Sequence, residues 1–506
     1  MNLSSLFQSP PLSDWLHLLL LFCVILILIM ISEIARKYLH WPQEVTRKIV
    51  HISVGLLLLS TPLLLETALP LLAISAFFTL FNFIALQYNL LPGIHIERNN
   101  YGTVYYAFSF FVLILLFWEG HKVVIIASMM IMAVGDALAA IVGKKVRKSH
   151  AYRLVRDQKT LEGSLTMFLV STLVVYLTFL LYPDTMNTMN YTSGHFLLFA
   201  VITAVVSTSA EALGDRGNDN LTVPLLSGFI LYFLLSHDTS HHFQLILGMV
   251  MGAVTVYLSH RARFLTSSGM VSAFLLATVI YGFGGWKWTL PILTFFISSS
   301  LLSKVGKSVF DNIFEKGSRR DHVQVMANGG IAGLFMILEI LVPHPINYLA
   351  YLGSLAAATA DTWATEIGMR WGKHPRLISN LKLVPPGTSG GITSAGLLGA
   401  LAGSIILAIS GILFFTEIEQ LSIWLLFTMI VSSGFMASLV DSFLGATIQV
   451  QFQCDVCQKM TEKHFHCEVL TIPISGILWF NNDVVNFLNT LSGAFFVIII
   501  LQFLLM

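Results

Sequence analysis

About sixteen apolar runs, each near the ~20 residues a helix needs to cross a bilayer, follow one another through this chain. They extend from 15–34, 49–65 and 68–88 to 390–415, 420–445 and 488–506. With 56% hydrophobic and 11% charged residues, a soluble protein is excluded. The expected fold is an all-α polytopic membrane protein with about 14–16 transmembrane helices. The N-terminus carries neither the charged region of a signal peptide nor the Arg/Ser-rich character of a transit peptide. Trp15 to Ser32 therefore reads as the first span.

Charge placement sets the orientation. With the N-terminus outside, alternation of the spans puts Arg36, Lys37, Arg47, Lys48, Arg98, the cluster from Lys144 to Lys159, Arg216, Arg261 and Arg263 in the cytoplasm. Lys304 to Arg320, Arg370 to Lys382, Lys459 and Lys463 fall there too. Of 28 Lys and Arg, only Lys122 and Lys287 land outside, as the positive-inside rule requires.

The chain echoes itself. "GDALAAIVGKKV…KTLEGSL" and "ADTWATEIGMRW…KLVPPGTSGG" each place an Asp near the end of a span, Asp136 and Asp361. Gly143 or Gly368 follows seven residues later, then Lys144 or Arg370. A basic loop leads to a small-residue turn, Gly163-Ser164 or Gly387-Thr388, and a later span ends on Glu211 or Asp441. This order predicts two related units. A polar break at His237 to His242 separates residues 1–236 from 242–506.

These residue types suit phosphoryl transfer. An intramembrane carboxylate is costly and marks function, and Asp136 and Asp361 can hold a divalent cation. Lys48, Lys144, Lys145 and Lys159 supply charge for phosphate. Gly163 and Ser164 in one unit, and Gly387, Thr388, Ser389 and Gly390 in the other, offer backbone N–H groups at a helix start. Glu211 and Asp441 are candidates for a second metal or a base. Asp219 and Asn220 can bind metal or orient a hydroxyl. Arg47 and His51 lie on one helix face at i, i+4. Arg319, Arg320, Asp321 and Asn328 open another span, and Arg370 and Lys382 flank the second basic loop. The bland readings stand beside these. Lys148, Arg153 and Arg156 read as topology signals, and His51 reads equally as a hydrogen bond within the bundle. "GKS" at Gly306 to Ser308 is no P-loop, because Leu301 stands where glycine is needed.

"CDVCQKMTEKHFHC" holds Cys454, Cys457, His464, His466 and Cys467. Cys454, Cys457, His464 and Cys467 make a Cys₃His set for structural zinc in the 454–467 loop, with free thiols as the alternative.

The first half, through "EVTRKIVHISVG", "RNNYGTVYYAF", "VGDALAAIVGKKV", "KTLEGSLTMF" and "GNDNLTVPL", resembles the polyprenol/phytol/dolichol kinase family. The second half, through "GSRRDHVQVMANGG", "ADTWATEIG", "KLVPPGTSGGIT", "LVDSFLGATIQ" and "WFNNDVVNF", is similar to the family of phytyl-phosphate kinase and transmembrane protein 19. Two departures are Ser318, where glycine precedes the arginines in that family, and Arg147, where the loop of the first half would carry glycine.

The resemblance implies a bifunctional, CTP-dependent enzyme with Mg²⁺ as cofactor. It would convert an isoprenoid alcohol such as phytol to its monophosphate and then to the diphosphate, as in tocopherol synthesis. The implied partners are the alcohol, its monophosphate, CTP and the lipid bilayer, with no nucleic acid. The implied location is a bacterial-type plasma membrane with the catalytic loops cytoplasmic. Kinases for dolichol, undecaprenol or diacylglycerol remain open from the sequence, as does a secondary transporter.

Overall fold

The computed structural model describes residues 8–505 except 42, 59, 89, 91–99, 147–149, 183–190, 306–318, 415–421 and 459. Arg98, Arg147, Lys148, Gly306 to Ser308, Ser318 and Lys459 lie outside the described residues, as does the side chain of Arg47. The chain forms two compact units, Met1–Asp238 and Thr239–Met506.

The first unit runs α1 (Leu12–Tyr38), α2 (Gln43–Leu58), a short α3 (Thr61–Leu64), α4 (Leu69–Tyr88), α5 (Gly102–Phe117) and α6 (Lys122–Lys145). A hairpin of β1 (Ala151–Arg153) and β2 (Gln158–Thr160) leads to α7 (Leu161–Leu181), α8 (Ser193–Ala212) and α9 (Asp219–Ser236). The second unit runs α10 (Thr239–Arg261), α11 (Ser267–Val305), α12 (His322–Leu341) and α13 (Pro345–Trp371). A hairpin of β3 (Arg376–Leu377) and β4 (Gly391–Ile392) leads to α14 (Ser394–Ile412) and α15 (Ile423–Thr447). Short strands β5 (Gln451–Gln453), β6 (Met460–Thr461), β7 (Phe465–His466), β8 (Val469–Leu470) and β9 (Ile472–Ser475) precede α16 (Asn482–Leu505).

Among the described residues, twelve helices are long and apolar enough to cross a membrane, and the protein is an all-α polytopic membrane protein. The remaining expected runs are explained locally. Lys48–Leu57 and Gly102–Phe117 are shorter apolar helices. The runs 268–285 and 288–303 are the two arms of α11, which meet at Gly285 with φ 60°. Only glycine adopts that conformation readily. Gln244 donates to the carbonyls of Tyr281 (3.3 Å) and Gly282 (3.0 Å), groups the break deprives of helical partners.

The remaining run, α13, falls outside the twelve because it faces protein rather than lipid. Every residue from Asn347 to Ala360 is buried, so alanine and serine serve where a lipid-facing helix would need leucine. The first unit has the same design: α6 is buried without a break from Val123 to Ala133. In each unit the aspartate comes just beyond this stretch, at Asp136 or Asp361.

Each central helix is followed by an antiparallel hairpin and a capped helix. Thr160 Oγ1 accepts the N–H of Gly163 at 3.1 Å, and Thr393 Oγ1 accepts that of Gly396 at 3.0 Å. A Cβ on Gly143 would lie 3.7 Å from the Gly163 Cα, and one on Gly368 would lie 3.3 Å from the Gly396 Cα. Gly163 therefore corresponds to Gly396, which corrects the expected match with Gly387. The loop of the second unit is longer, and it displaces the helix start to Ser394.

Candidate active sites

In the first unit, the end of α8, the start of α9, the interior of α6 and one strand converge. Lys159 on β2 is half-buried, with Nζ 2.5 Å from Glu211 Oε1 and 3.6 Å from Asp219 Oδ2. Asp136 is close enough to interact electrostatically with Lys159, Glu211 and Asp219. Burial opposes the Lys159 ammonium, but Glu211, Asp219 and Asp136 together hold its pKa above the ordinary lysine value. A fixed cation thus sits among three carboxylates. Asn220 Nδ2 donates to Asp219 Oδ1 (3.1 Å) and fixes that carboxylate.

The backbone of α6 widens into a π-helical turn at Ile131–Asp136. His51 Nε2 donates to the Met132 carbonyl at 3.2 Å, and Lys48 Nζ reaches the Ala137 carbonyl at 3.5 Å. Beside them lies a cavity of ≈ 190 Å³. Its wall is mostly apolar, with Leu21, Ile74, Phe78 and Phe110, and its polar groups include Lys48, His51, Asp136 and Asn220. The buried Tyr106 hydroxyl, which also lines it, has no hydrogen-bond partner among the described residues.

Gly163 and Ser164 do not form the open anion cradle expected of them. The Gly163 N–H is taken by Thr160, and Ser164 Oγ is 2.6 Å from the Tyr152 hydroxyl. Lys144 and Lys145 are exposed at the end of α6.

In the second unit, the carboxyl groups of Asp361 and Asp441 act directly on each other, and Asp441 Oδ2 is buried without a hydrogen-bond partner among the described residues. Two carboxylates so close need a proton or a cation between them. The set therefore fits a hard divalent ion such as Mg²⁺. A third acid, Glu462, interacts electrostatically with both. Its Oε1 accepts from Ser389 Oγ and Gln449 Nε2, both at 2.8 Å. Sequence reasoning missed Glu462, which lies in a polar loop about a hundred residues from Asp361; the acid inside the Cys/His segment was its only signal. The position that corresponds to Lys159 carries no cation here. The residue before the Thr160 cap is Lys159, and the residue before the Thr393 cap is Ile392.

The glycine-rich turn is likewise not a helix start. Thr388 Oγ1 donates to the Pro385 carbonyl (2.8 Å) and Ser389 holds Glu462. Gly390, at φ 76°, packs so tightly on α15 that a Cβ would come within 2.5 Å of Ala446. Gly387 is also at positive φ, 84°. Asp321 caps α12 by accepting the Gln324 N–H (2.9 Å), and Asn328 donates to the Gln324 carbonyl (2.9 Å), so both brace the helix start. Arg320 is stacked near Phe295 and Phe296; burial pushes its guanidinium down to about 10, while Glu366 acts in the opposite sense. Arg319 donates to the Leu265 carbonyl. Arg370, over the Trp371 ring, and Lys382 are exposed.

The metal-type cluster differs from the expected one by one residue. Ligand atoms of Cys454, Cys457, His466 and Cys467 all lie within 4.8 Å of one another. His466 Nδ1 is 3.5 Å from Cys457 Sγ and 3.2 Å from Cys467 Sγ. His464 is the correction: it precedes β7, and its ring packs on Phe452, 4.4 Å between centroids, rather than joining His466 among the thiols. The N–H of Cys457 leads in lowering the Cys454 thiol to about 6, while burial and the neighbouring cysteines push the Cys467 thiol up to about 11.

Residues 250–494 match the family described as integral membrane protein DUF92. Protein PGR of Arabidopsis thaliana is 32% identical over 284 residues, covering 51% of this chain and 96% of that protein. A phytol kinase of Synechocystis sp. is 34% identical over 213 residues, covering 40% of this chain and 85% of that enzyme. Protein VTE6, chloroplastic, of Arabidopsis thaliana is 26% identical over 249 residues, or 48% of this chain and 66% of that protein. No solved structure matches. The chain belongs to the integral membrane protein family DUF92 and is related, over most of that enzyme's length, to a phytol kinase.

Proposed function

We propose that the chain phosphorylates an isoprenoid alcohol twice, once in each unit. The first unit transfers the γ-phosphate of CTP to the alcohol oxygen, releasing CDP and a proton. The second repeats the transfer onto the monophosphate to give the diphosphate. The observation that carries this reading is the cavity of ≈ 190 Å³, whose apolar wall meets Asp136, Lys48, His51 and Asn220. A prenyl tail suits the wall, and a hydroxyl suits the polar groups. The phytol kinase relative supports the same substrate class.

Asp136 and Asp219 would hold Mg²⁺ in the first unit, and Asp361 and Asp441 in the second; that ion would neutralise phosphate charge. Lys159 adds a fixed cation, which Glu211 and Asp219 keep in place. Glu211, engaged with Lys159, positions that cation rather than acting as a free base. CTP as donor rests on the family resemblance. The one-sided distribution of Lys and Arg supports cytoplasmic active sites in a plasma membrane.

The test is a product assay. Purified protein in detergent receives Mg²⁺, γ-labelled CTP or ATP, and phytol, geranylgeraniol or farnesol. A labelled diphosphate from the alcohol supports both sites. A product that stops at monophosphate removes the second activity, and no labelled prenyl product refutes the reading.

A further inference from the structure

The Cys/His loop and the acidic cluster of the second unit are joined through one residue. Strand β5 pairs with β6 in the register Phe452↔Thr461 and Gln453↔Met460, and Glu462 follows directly. The connection from β5 to β6 contains Cys454 and Cys457. Beyond Glu462, β7 and β8 form a hairpin, His466↔Val469, whose turn is Cys467-Glu468. Both turn residues have positive φ, 50° and 63°, as does Gln458 after the first cysteine pair, at 58°. Such hairpin turns select Asn and Gly. Cysteine and glutamate hold this shape against their own preference, which calls for an external tether.

We propose that Cys454, Cys457, His466 and Cys467 hold a zinc ion as three thiolates and an imidazole Nδ1, and that this ion fixes Glu462 against Asp361 and Asp441. The three sulfurs and one nitrogen match a closed tetrahedral site, where ligand atoms about 3.8 Å apart surround the metal; the four atoms here lie within 4.8 Å of one another. The cysteine ligands bracket Glu462 in sequence, so closing them fixes the carboxylate that Ser389 and Gln449 then orient. Zinc is thus a structural ion on which the second acidic site depends, and Glu462 acts there as a positioning or ligating carboxylate. The Mg²⁺ part rests on the proposed function; the zinc part does not.

Two measurements on the full chain test this. Elemental analysis should find one zinc per chain, and Co²⁺ exchange should give the absorption of a tetrahedral thiolate site. Cys457→Ser and His466→Ala should lose the metal while His464→Ala keeps it. Wild-type protein without zinc, or loss with His464→Ala instead of His466→Ala, overturns the site. Mn²⁺ affinity is then read by electron paramagnetic resonance in an Asp136→Asn background. Glu462→Gln, with zinc retained, and wild-type protein stripped of zinc by a chelator should each weaken Mn²⁺ at least roughly tenfold. Zinc add-back should restore the stripped protein. Unchanged Mn²⁺ affinity in either case overturns the link. Neither readout requires kinase activity, so failure of the functional reading shows up separately.

Discussion

Lys159→Met tests the charge arrangement of the first unit most directly. The ammonium lies 2.5 Å from Glu211 and 3.6 Å from Asp219. At an effective dielectric near 20, those gross attractions are roughly 7 and 5 kcal/mol. Desolvation offsets several kcal/mol per ion, and removing one partner of a buried pair typically costs ~3–5 kcal/mol. For a unit of this size, each kcal/mol moves the midpoint by about 2–4 °C, so the expected fall is roughly 6–20 °C. Thermal unfolding in detergent can be followed by tryptophan fluorescence, since Trp118 is buried in this unit. Lys159→Met/Glu211→Gln removes both charges and should recover at least half the loss. A single-variant shift below about 3 °C, which corresponds to ~1 kcal/mol, or no recovery in the double variant, would refute the reasoning. The pH dependence has a definite sign. Because the folded pKa of Lys159 is raised, its contribution is complete below the ordinary lysine value of 10.5 and is lost only as pH rises beyond it. Between pH 6 and about pH 9 this contact should leave the midpoint unchanged.

Three further outcomes are expected. Thr160→Val and Thr393→Val each remove a helix cap and should cost about 1 kcal/mol in their own units, read as a lowered unfolding midpoint. Gly285→Val places a branched side chain at φ 60° with its Cβ 3.2 Å from Gln244, and should destabilise the protein by about 1–3 kcal/mol, with Gly285→Ala milder. Ala107→Phe fills part of the first-unit cavity and should raise KM for phytol more than for a short prenyl alcohol; equal effects on both would place the tail elsewhere.

Much of the fold was legible because bilayer-spanning helices declare themselves by hydropathy, and the two aspartates stood out as charges where lipid-spanning segments avoid them. The described boundary between units, at Asp238, falls within the polar break beginning at His237. The helix starts were less legible. Thr160 and Thr393 are ordinary caps, and the long second hairpin made Gly387 look like the partner of Gly163, whereas packing pairs Gly163 with Gly396. His464 and His466 are two residues apart and chemically alike, and strand alternation would put both on one face, so only the tertiary contact with Phe452 separates His464 from the ligand set. Glu462 was hidden because its partners are set by tertiary contact, not by spacing.

The substitution of Ile392 for Lys159 at the position before the cap has a consequence for biosynthesis. In the first unit the counterion emerges 23 residues after Asp136, within the next hairpin, so the aspartate has a basic neighbour early. In the second, isoleucine stands at that position, and the carboxylate that acts on Asp361, Asp441, arrives 80 residues later. Assembly of the second acidic pair therefore waits for α15, whereas the first unit brings its aspartate and lysine together within one helix and the hairpin that follows it.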